Sequence, residues 1–395
     1  MSIRIKSLLT FIVTVLFFLL IAGCTAVIEY EALVEKGGLV YLDGKPFSGI
    51  AQEKHRNGRI SFEHSYQKGF KEGEYKEWRP DGSLKKTVNY KDGGMHGEFK
   101  QFYNNNNVEL QVDYKNNKKH GIEKSNHSND QRNYEVEFVD GLMQGEKKGW
   151  YPSGKLRLTS SFKDNLVDGL RTEFHLNGAK KKEEIYSEGK IEGKASEWFK
   201  NGQVKSEVNY LGGLKNGSAK EWHFDGQRAS DGKYENDLRV GVWRAWFEND
   251  QVKYEEYYYP DGDVIYTKKY WFRNGQTKSE LEKWRSGQTK KQRQWTNAGN
   301  LIMKEDYDLD QNGQKIEYFQ EGKNKGKEKR IEEYQNGKLH GNLTEFYPSG
   351  VIKSTTSYQD GLKEGAFLEY DENGKLRRRS IFSLDLIRGS VEKFD

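Results

Sequence analysis

Glycine recurs at a fixed spacing through most of this 395-residue chain, and the spacing limits the folds available to it. Successive members of the series stand 24 residues apart, and the same frame returns near the end of the sequence. A fixed period of this length predicts a repeat architecture in which each unit is one supersecondary element. The series, which we interpret as repeat-turn glycines, consists of Gly49, Gly73, Gly97, Gly121, Gly145, Gly169, Gly193, Gly217, Gly241, Gly341 and Gly365.

A second series, made of aromatic residues, keeps the same period and register. We expect these rings to lie at one height in successive units, because stacking of equivalent residues is how a repeat closes its apolar face. The series consists of Tyr66, Tyr90, Tyr114, Phe138, Phe162, Tyr186, Tyr210, Tyr234, Tyr258 and Tyr358.

Each period contains two turn signals and two runs of alternating character. Pairs such as Asn201-Gly202 supply the positive φ angles of tight hairpins, and a longer G-x-x-x-G loop, as in 361–365, closes the unit. In the run 203–210, Val204, Val208 and Tyr210 share one face, which is typical of a half-buried strand. The sequence therefore predicts an all-β fold, an elongated antiparallel β-meander or solenoid of stacked 24-residue β-hairpin repeats.

The repeat pattern also predicts the organisation of the chain. Regular repeats cover 40–262 and 331–382, degenerate repeats cover 263–330, and 383–395 is a C-terminal tail or cap. The degenerate part has two interpretations: drift in a permissive scaffold, or a binding site in which uniformity was given up.

The start of the chain has a different composition. Arg4 and Lys6 precede a 16-residue apolar run, which is short for a membrane span. A basic start, an apolar middle and small residues at the end predict a secretory signal over 1–23.

The end of this signal resembles the lipobox of bacterial lipoproteins. The matching residues are Ile21, Ala22, Gly23 and Cys24. The resemblance implies that Cys24 is lipidated and becomes the new N-terminus, followed by a lipid-anchored tether over 24–39. An uncleaved membrane anchor and a chance cysteine after a cleaved signal remain alternatives.

Composition and motifs favour a protein without catalytic chemistry. The net charge is only +5, which is too balanced to suggest nucleic acid as a partner, and the single cysteine leaves no internal disulfide. The sequence contains no G-x-S-x-G, no H-E-x-x-H and no cysteine pair for a metal. We therefore predict no catalytic residue, no metal, no cofactor and no enzymatic activity.

Three histidines occupy one position of the repeat, just before the second glycine. They are His96, His120 and His340, and two stacked imidazoles could share a metal ion. Other polar residues fill the same position elsewhere, so we interpret it as a solvent-facing turn position.

Adjacent carboxylates occur at Glu183-Glu184 and Glu255-Glu256. Paired carboxylates can hydrolyse glycosides, but neighbours on a strand point to opposite faces. The sequence therefore predicts that neither pair converges and that all four groups are solvated.

Tryptophans near strand ends are the candidate binding aromatics. Trp198, Trp246 and Trp271 each precede a phenylalanine, which puts one ring on each face of a strand, and Trp222 has the equivalent position. An exposed ring can stack a sugar or a partner side chain. The alternative is packing of ring on ring that keeps a thin sheet dry.

The unit resembles the MORN repeat variant, as in "GKASEWFKNGQVKSEVNYLGG" (193–213). Proteins built from this variant are commonly grouped as YwqK-family antitoxins, which implies binding and neutralising a toxin. The related MORN repeats imply scaffolding and membrane-associated roles.

The resulting hypothesis is a non-catalytic, lipid-anchored repeat scaffold that binds another protein at the bacterial cell envelope. Thr25 after the cysteine resembles outer-membrane sorting, so the outer membrane or cell surface is the expected location. The alternatives are a repeat protein that binds carbohydrate or cell wall, such as a glycan or peptidoglycan, and an antitoxin or immunity-like protein.

Overall fold

The computed structural model describes residues 26–260 and 265–395. The expected signal peptide, the lipobox and Cys24 lie outside these residues. The one helix among the described residues is a three-residue 3-10 turn, Tyr30–Ala32. No helix in this part of the chain is long and apolar enough to cross a membrane. The chain divides into two compact units, Met1–Lys190 and Ile191–Asp395.

The first unit consists of short strands joined by tight connections. They are β1 (Val27–Glu29), β2 (Val34–Lys36), β3 (Leu39–Leu42), β4 (Lys45–Pro46), β5 (Gly49–Lys54), β6 (Ile60–Gln67), β7 (Phe70–Trp78), β8 (Leu84–Lys91), β9 (Gly94–Phe102), β10 (Val108–Lys115), β11 (Lys118–Lys119), β12 (Gly121–Asn126), β13 (Arg132–Val139), β14 (Leu142–Trp150), β15 (Leu156–Lys163), β16 (Leu166–Phe174) and β17 (Lys180–Ser187).

The second unit continues in the same style, starting with a strand whose first residue, Lys190, belongs to the first unit. Its strands are β18 (Lys190–Trp198), β19 (Val204–Leu211), β20 (Leu214–Trp222), β21 (Arg228–Glu235), β22 (Leu238–Trp246), β23 (Val252–Tyr258), β24 (Ile265–Trp271), β25 (Thr277–Lys283), β26 (Thr289–Trp295), β27 (Leu301–Tyr307), β28 (Gly313–Tyr318), β29 (Glu328–Gln335), β30 (Lys338–Phe346), β31 (Ile352–Gln359), β32 (Leu362–Tyr370), β33 (Leu376–Ser383) and β34 (Leu386–Lys393).

Within each unit the strands pair in chain order. From β5 to β17, each strand is antiparallel to the next, with β11 and β12 together forming one position beside β10. From β18 to β34 the same rule holds. The predicted all-β fold, an antiparallel meander of hairpin repeats, is confirmed.

Two kinds of connection alternate in the regular repeats, and they set the period. One is a five-residue connection such as 79–83, in which Gly82 has φ 89° and its N–H donates to the Arg79 carbonyl. The other is a two-residue turn such as Asp92-Gly93, in which both residues have positive φ, the geometry of a type I′ turn. With a nine-residue and an eight-residue strand, such as β7 and β8, these connections complete the 24-residue unit.

The G-x-x-x-G element differs from its prediction as a longer loop. Its first glycine belongs to the two-residue turn, and its second lies in the following strand. Gly73, for example, lies inside β7 with φ 78°, beside a register shift between His64 and Tyr66. A left-handed glycine lets the strand carry one extra residue as a β-bulge.

The same left-handed conformation, with φ between 66° and 104°, recurs at ten members of the glycine series, and Gly49 instead starts β5. The ten are Gly73, Gly97, Gly121, Gly145, Gly169, Gly193, Gly217, Gly241, Gly341 and Gly365.

The segment predicted as degenerate keeps the strand rhythm by a simpler rule. Strands β24 to β27 have seven residues each. Five-residue connections join β25, β26 and β27, and Gly287 and Gly299 are the fourth residues of these connections. Seven and five residues give a period of 12, half of the regular unit. From β24 to β27, the described residues therefore continue the sheet without the left-handed glycine bulge or the two-residue turn.

The segment predicted as a tether is folded from Val27 onwards. Strand β1 pairs in parallel with β5, and β2, β3 and β4 form a small separate sheet. Tyr30 packs edge-on against Phe62, and Val40 and Phe47 form a core with Tyr66. Apolar residues in 27–47 explain why this segment is folded rather than an extended tether. They cover Tyr66 and its neighbours, which would otherwise be exposed at the start of the sheet. At the other end, β34 pairs with β33 and is exposed throughout.

The two faces of the sheet differ in burial. We call the side that carries Tyr66 and Tyr90 the ladder face, and the other side the opposite face. On the ladder face, His64, Tyr75 and Val88 are successive cross-strand partners in one central row. The core of each unit lies along this face, because neighbouring side chains in the row cover one another.

Candidate functional site

The aromatic series lies on the ladder face in both units. Tyr66, Phe138 and Tyr258 are buried, and the other members are half-buried. Cations cover several of these rings, and each cation precedes its ring by 19 residues. The pairs are Lys71 over Tyr90 (5.5 Å), Lys119 over Phe138 (5.0 Å), Lys215 over Tyr234 (5.0 Å) and Arg239 over Tyr258 (5.8 Å). The ladder face is thus a packed surface whose rings are capped by basic side chains.

Buried carboxylates accompany the ladder, which the sequence-based prediction of solvated groups missed. Glu184 and Glu256 are only 2% and 5% exposed. The hydroxyls of Tyr186 and Tyr258, two residues further on, donate to them at 3.1 and 2.8 Å. The predicted solvation is wrong for these two residues. The pairs do not converge, since Glu255 lies on the opposite face and bonds Arg244 at 2.6 Å.

Glu256 is the centre of a polar cluster on the ladder face. It accepts hydrogen bonds from Tyr258 and Tyr270, both at 2.8 Å, and its carboxylate lies 3.1 Å from the Lys268 Nζ. Burial acts to raise the pKa of Glu256, but the bonds from Tyr270, Tyr258 and Lys268 outweigh it and hold that pKa below its usual range. The hydrogen bonds within the cluster therefore compensate the buried charge of Glu256.

The histidine position before the bulge glycine links adjacent two-residue turns. The His340 Nδ1 accepts a long hydrogen bond, 3.4 Å, from the Asp360 N–H. Glu72 and Glu192 accept equivalent bonds from Asp92 and Gly212 in other repeats. Among the described residues, no group of three or more His, Cys, Asp or Glu side chains is placed to hold a metal ion. The position acts as a lateral hydrogen-bond site between turns.

The four candidate tryptophans are half-buried rather than exposed. They are Trp198, Trp222, Trp246 and Trp271. Arg228 lies over the Trp246 ring at 4.9 Å, and Lys269 over the Trp271 ring at 5.3 Å. The faces of Trp246 and Trp271 are therefore partly occupied by cations of the same sheet, which favours packing over ligand stacking at these two positions.

The opposite face carries a row of exposed apolar side chains that the sequence analysis did not single out. Each member directly follows a two-residue turn, and each is between 40% and 51% exposed. We call this set the apolar row. It consists of Phe70, Leu142 and Leu166 in the first unit and Leu214, Leu238 and Leu362 in the second. The signal was present in the sequence, since the leucine after the turn recurs in "DGLMQG" and "DGLKEG".

Cross-strand neighbours widen the row. Val139, opposite Leu142, is 41% exposed, and Leu211, opposite Leu214, is 64% exposed. Two row residues, Phe70 and Leu166, also lean over the glycine of the next turn: the Leu166 Cδ2 lies 3.6 Å from the position that a Cβ at Gly189 would take. Glycine at that turn position therefore leaves room for the row residue. The row is a surface of unpartnered apolar side chains supported by the turns.

These features define the class of the protein: a β-meander of hairpin repeats with a packed ladder face and an apolar row on the opposite face. The repeats themselves match a family model, the MORN repeat variant, in seven segments. The matched residues are 71–92, 95–116, 143–164, 191–211, 239–259, 339–360 and 363–383. No curated protein matches the sequence of this chain.

Several solved structures align with this chain at low similarity. They include the TcdB2-TccC3-Cdc42 complex (9% identity, TM-score 0.15) and TcdB2-TccC3 (8% identity, TM-score 0.17), with 84% and 85% of this chain covered. A Photorhabdus luminescens Tc holotoxin pore aligns over 89% of the chain at 9% identity, with a TM-score of 0.15. The chain spans 19%, 24% and 22% of the length of these three matched chains.

Proposed function

We propose that this protein is a non-catalytic scaffold that binds another protein through the apolar row and is anchored at the bacterial cell envelope through a lipid on Cys24. The observation that carries the binding role is the row itself. Side chains such as Leu142 and Leu166 are about half exposed at equivalent heights, and exposed apolar patches in soluble proteins mark interaction surfaces.

The spacing of the row suggests the kind of partner. Equivalent residues of adjacent hairpins are two strands apart, which is about 10 Å at the usual strand separation. Residues seven apart on an α-helix are also about 10 Å apart along its axis. An amphipathic helix lying across the strands would thus present one apolar side chain per repeat, a known mode of recognition.

Photo-crosslinking in cells tests this role. A photoreactive residue at Leu142 or Leu166 should capture one and the same protein. The control position is Leu170, which is 48% exposed on the opposite face but lies outside the row. The proposal predicts capture at the two row positions, with the crosslinked peptide in an amphipathic helix, and no capture of that protein at Leu170. Equal capture at all three positions, or none, would contradict it.

A matched pair of variants measures the contribution of the row. The double variant Leu142→Ser, Leu166→Ser should weaken binding of the captured partner by about tenfold or more. Two apolar contacts are lost, and a loss of about 1.4 kcal/mol in binding free energy raises the Kd tenfold. Leu170→Ser should leave binding unchanged. If the captured protein is a toxin, the antitoxin role implied by the repeat resemblance gains direct support.

The anchor is tested separately. Cys24→Ala should move the protein out of the membrane fraction and abolish labelling by a fatty-acid analogue, since two acyl chains are needed for stable attachment. Retention of Cys24→Ala in the membrane without label would favour an uncleaved anchor instead.

A carbohydrate or cell-wall ligand is the second candidate. It is favoured by one specific observation, a cavity in the apolar row beside Phe70.

A further inference from the structure

One position of the apolar row in the first unit has no side chain. The repeat frame that places Leu142 and Leu166 in the row places Gly94 there as well, between Phe70 and Lys118. Its φ lies outside the left-handed region, so its backbone conformation does not require glycine. The effect of Gly94 is to leave a space in the row.

This space is part of a cavity of about 620 Å³ on the opposite face. Phe70, which is 43% exposed, forms one wall, and Gly93 and Gly94 form the floor. The Phe70 Cδ1 is 3.3 Å from where a Cβ at Gly93 would lie, so the ring rests directly over the turn backbone.

A second wall comes from the small N-terminal sheet. The turn Gly37-Gly38, between β2 and β3, lines the cavity. The sheet is fixed there because the Val40 N–H donates to the Gly69 carbonyl at 2.9 Å and the Gly69 N–H donates to the Phe47 carbonyl at 2.7 Å. The small sheet lies beside the first repeats, so this wall belongs to the start of the row in the described part of the chain.

Polar groups complete the rim. Asp92, His96, Asn116 and Asn117 line it. The Asn117 Oδ1 accepts a hydrogen bond from the Met95 N–H at 2.7 Å, which orients the amide. Its Nδ2 then lies 3.1 Å from the position of a Cβ at Gly94, so the amide packs closely against Gly94 and a leucine there would have to displace it.

We propose that this cavity binds one pyranose unit of a glycan. The face of a sugar ring that carries C–H groups packs on an aromatic ring, and its hydroxyl groups pair with amide, carboxylate and imidazole groups. An exposed ring with a few oriented polar groups is the usual composition of a small-molecule site. A strongly anionic ligand fits less well, because Asp92 offsets the charge of Lys91 in the lining. The site shares Phe70 with the apolar row, but protein capture is tested at Leu142 and Leu166, so either proposal can fail without the other.

Saturation-transfer difference NMR tests the site. The full chain is purified in a zwitterionic detergent, because a maltoside headgroup would itself compete. The probes are chitotetraose, for N-acetylated glycans such as those of cell wall, and maltotetraose and cellotetraose, for neutral glucans. We expect transfer to ring protons of at least one probe, and the probe that binds identifies the source of the sugar.

Two variants assign the signal to this cavity. Phe70→Ala removes the stacking ring, and Gly94→Leu restores the side chain found at other row positions and fills the space. Each should raise the Kd by about tenfold or more. The matched control is Leu170→Ala, which removes an exposed apolar side chain of the opposite face outside both the apolar row and the cavity and should bind like the unmodified chain. Thermal unfolding verifies that each variant is folded.

Two results would overturn the proposal. No saturation transfer from the unmodified chain to any of the three probes would exclude the site. Transfer that persists in both Phe70→Ala and Gly94→Leu would place sugar binding elsewhere.

Discussion

The asparagine of the five-residue connection forms two different hydrogen bonds. The Asn129 Oδ1 accepts from the Gln131 N–H at 3.2 Å, which stabilises its own turn. Its Nδ2 donates to the Pro152 carbonyl in the next such turn at 2.8 Å. Asn57 repeats both bonds, with Arg59 and Pro80. The positive φ belongs to the residue after the asparagine, such as Gly58, so backbone conformation does not explain the asparagine. Its side chain is favoured because it supplies both a hydrogen-bond donor and an acceptor.

Replacing Asn129 separates the two bonds. Asn129→Asp keeps the acceptor and loses the donor to Pro152, so we expect a loss of about 0.5–1.5 kcal/mol in the free energy of unfolding. Asn129→Ala loses both bonds and should cost more. Urea denaturation measures both values, and an Asn129→Asp variant as stable as the unmodified chain would show that the lateral bond contributes nothing.

His64 is a buried, neutral group on the ladder face. It is 3% exposed, and the rings of Tyr66, Tyr75 and Tyr90 lie 4.8–5.0 Å from its own. Burial, with a smaller contribution from the charge of Lys71, lowers the pKa of His64 to about 3. The folded state thus binds a proton at His64 less readily than the unfolded state does. The stability that the neutral imidazole contributes is fully present above the unfolded pKa of about 6.5 and falls as the pH drops towards 3.

We therefore expect the first unit to lose roughly 1–2 kcal/mol of stability between pH 7 and pH 5 through His64 alone. His64→Phe should remove that part of the pH dependence, while the other histidines and the carboxylates contribute equally to both proteins. Urea midpoints at the two pH values give the comparison. An unchanged pH dependence in His64→Phe would mean that the imidazole is hydrated in the folded state.

At the scale of single elements, β20 to β22 show how one large ring is fitted into a single sheet. Trp243 is buried, and its Nε1 donates to the Lys233 carbonyl at 3.1 Å. A Cβ at Gly232 would lie 2.2 Å from the Trp243 ring, and Ala219 is the cross-strand partner of Gly232. Two small residues on neighbouring strands thus make the space that one tryptophan fills.

Gly232→Val should destabilise the second unit by about 1–3 kcal/mol, because the new side chain overlaps the indole. Adding Trp243→Ala should recover part of that loss, although each change alone is destabilising, since the valine would fill space that the ring vacates. Thermal unfolding followed by circular dichroism gives the values. Strict additivity of the two changes would contradict the packing described for this pair.

Across the molecule, the sequence predicted what depends on local pattern. The 24-residue period, the hairpins and the shared height of Tyr66 and Tyr90 follow from turn chemistry and alternation. The burial of Glu184 could not be predicted from local pattern, because it depends on Arg171, 13 residues away on the paired strand. The location of Gly73 in a strand was also missed, since a left-handed glycine is equally compatible with a loop and with a bulge.

The central claim is that successive repeats lie side by side as neighbouring hairpins, and distances between spin labels test it most directly. Glu74, Ile122 and Leu170 share one position of the repeat in the first unit, and the labels are attached to cysteines there in a Cys24→Ser chain. Ile122 and Leu170 are four strand spacings apart, about 19 Å before twist, and Glu74 and Leu170 are eight apart, about 38 Å. We expect the distance between labels at Glu74 and Leu170 to be close to twice the distance between labels at Ile122 and Leu170. Equal distances, or no defined distance, would contradict it.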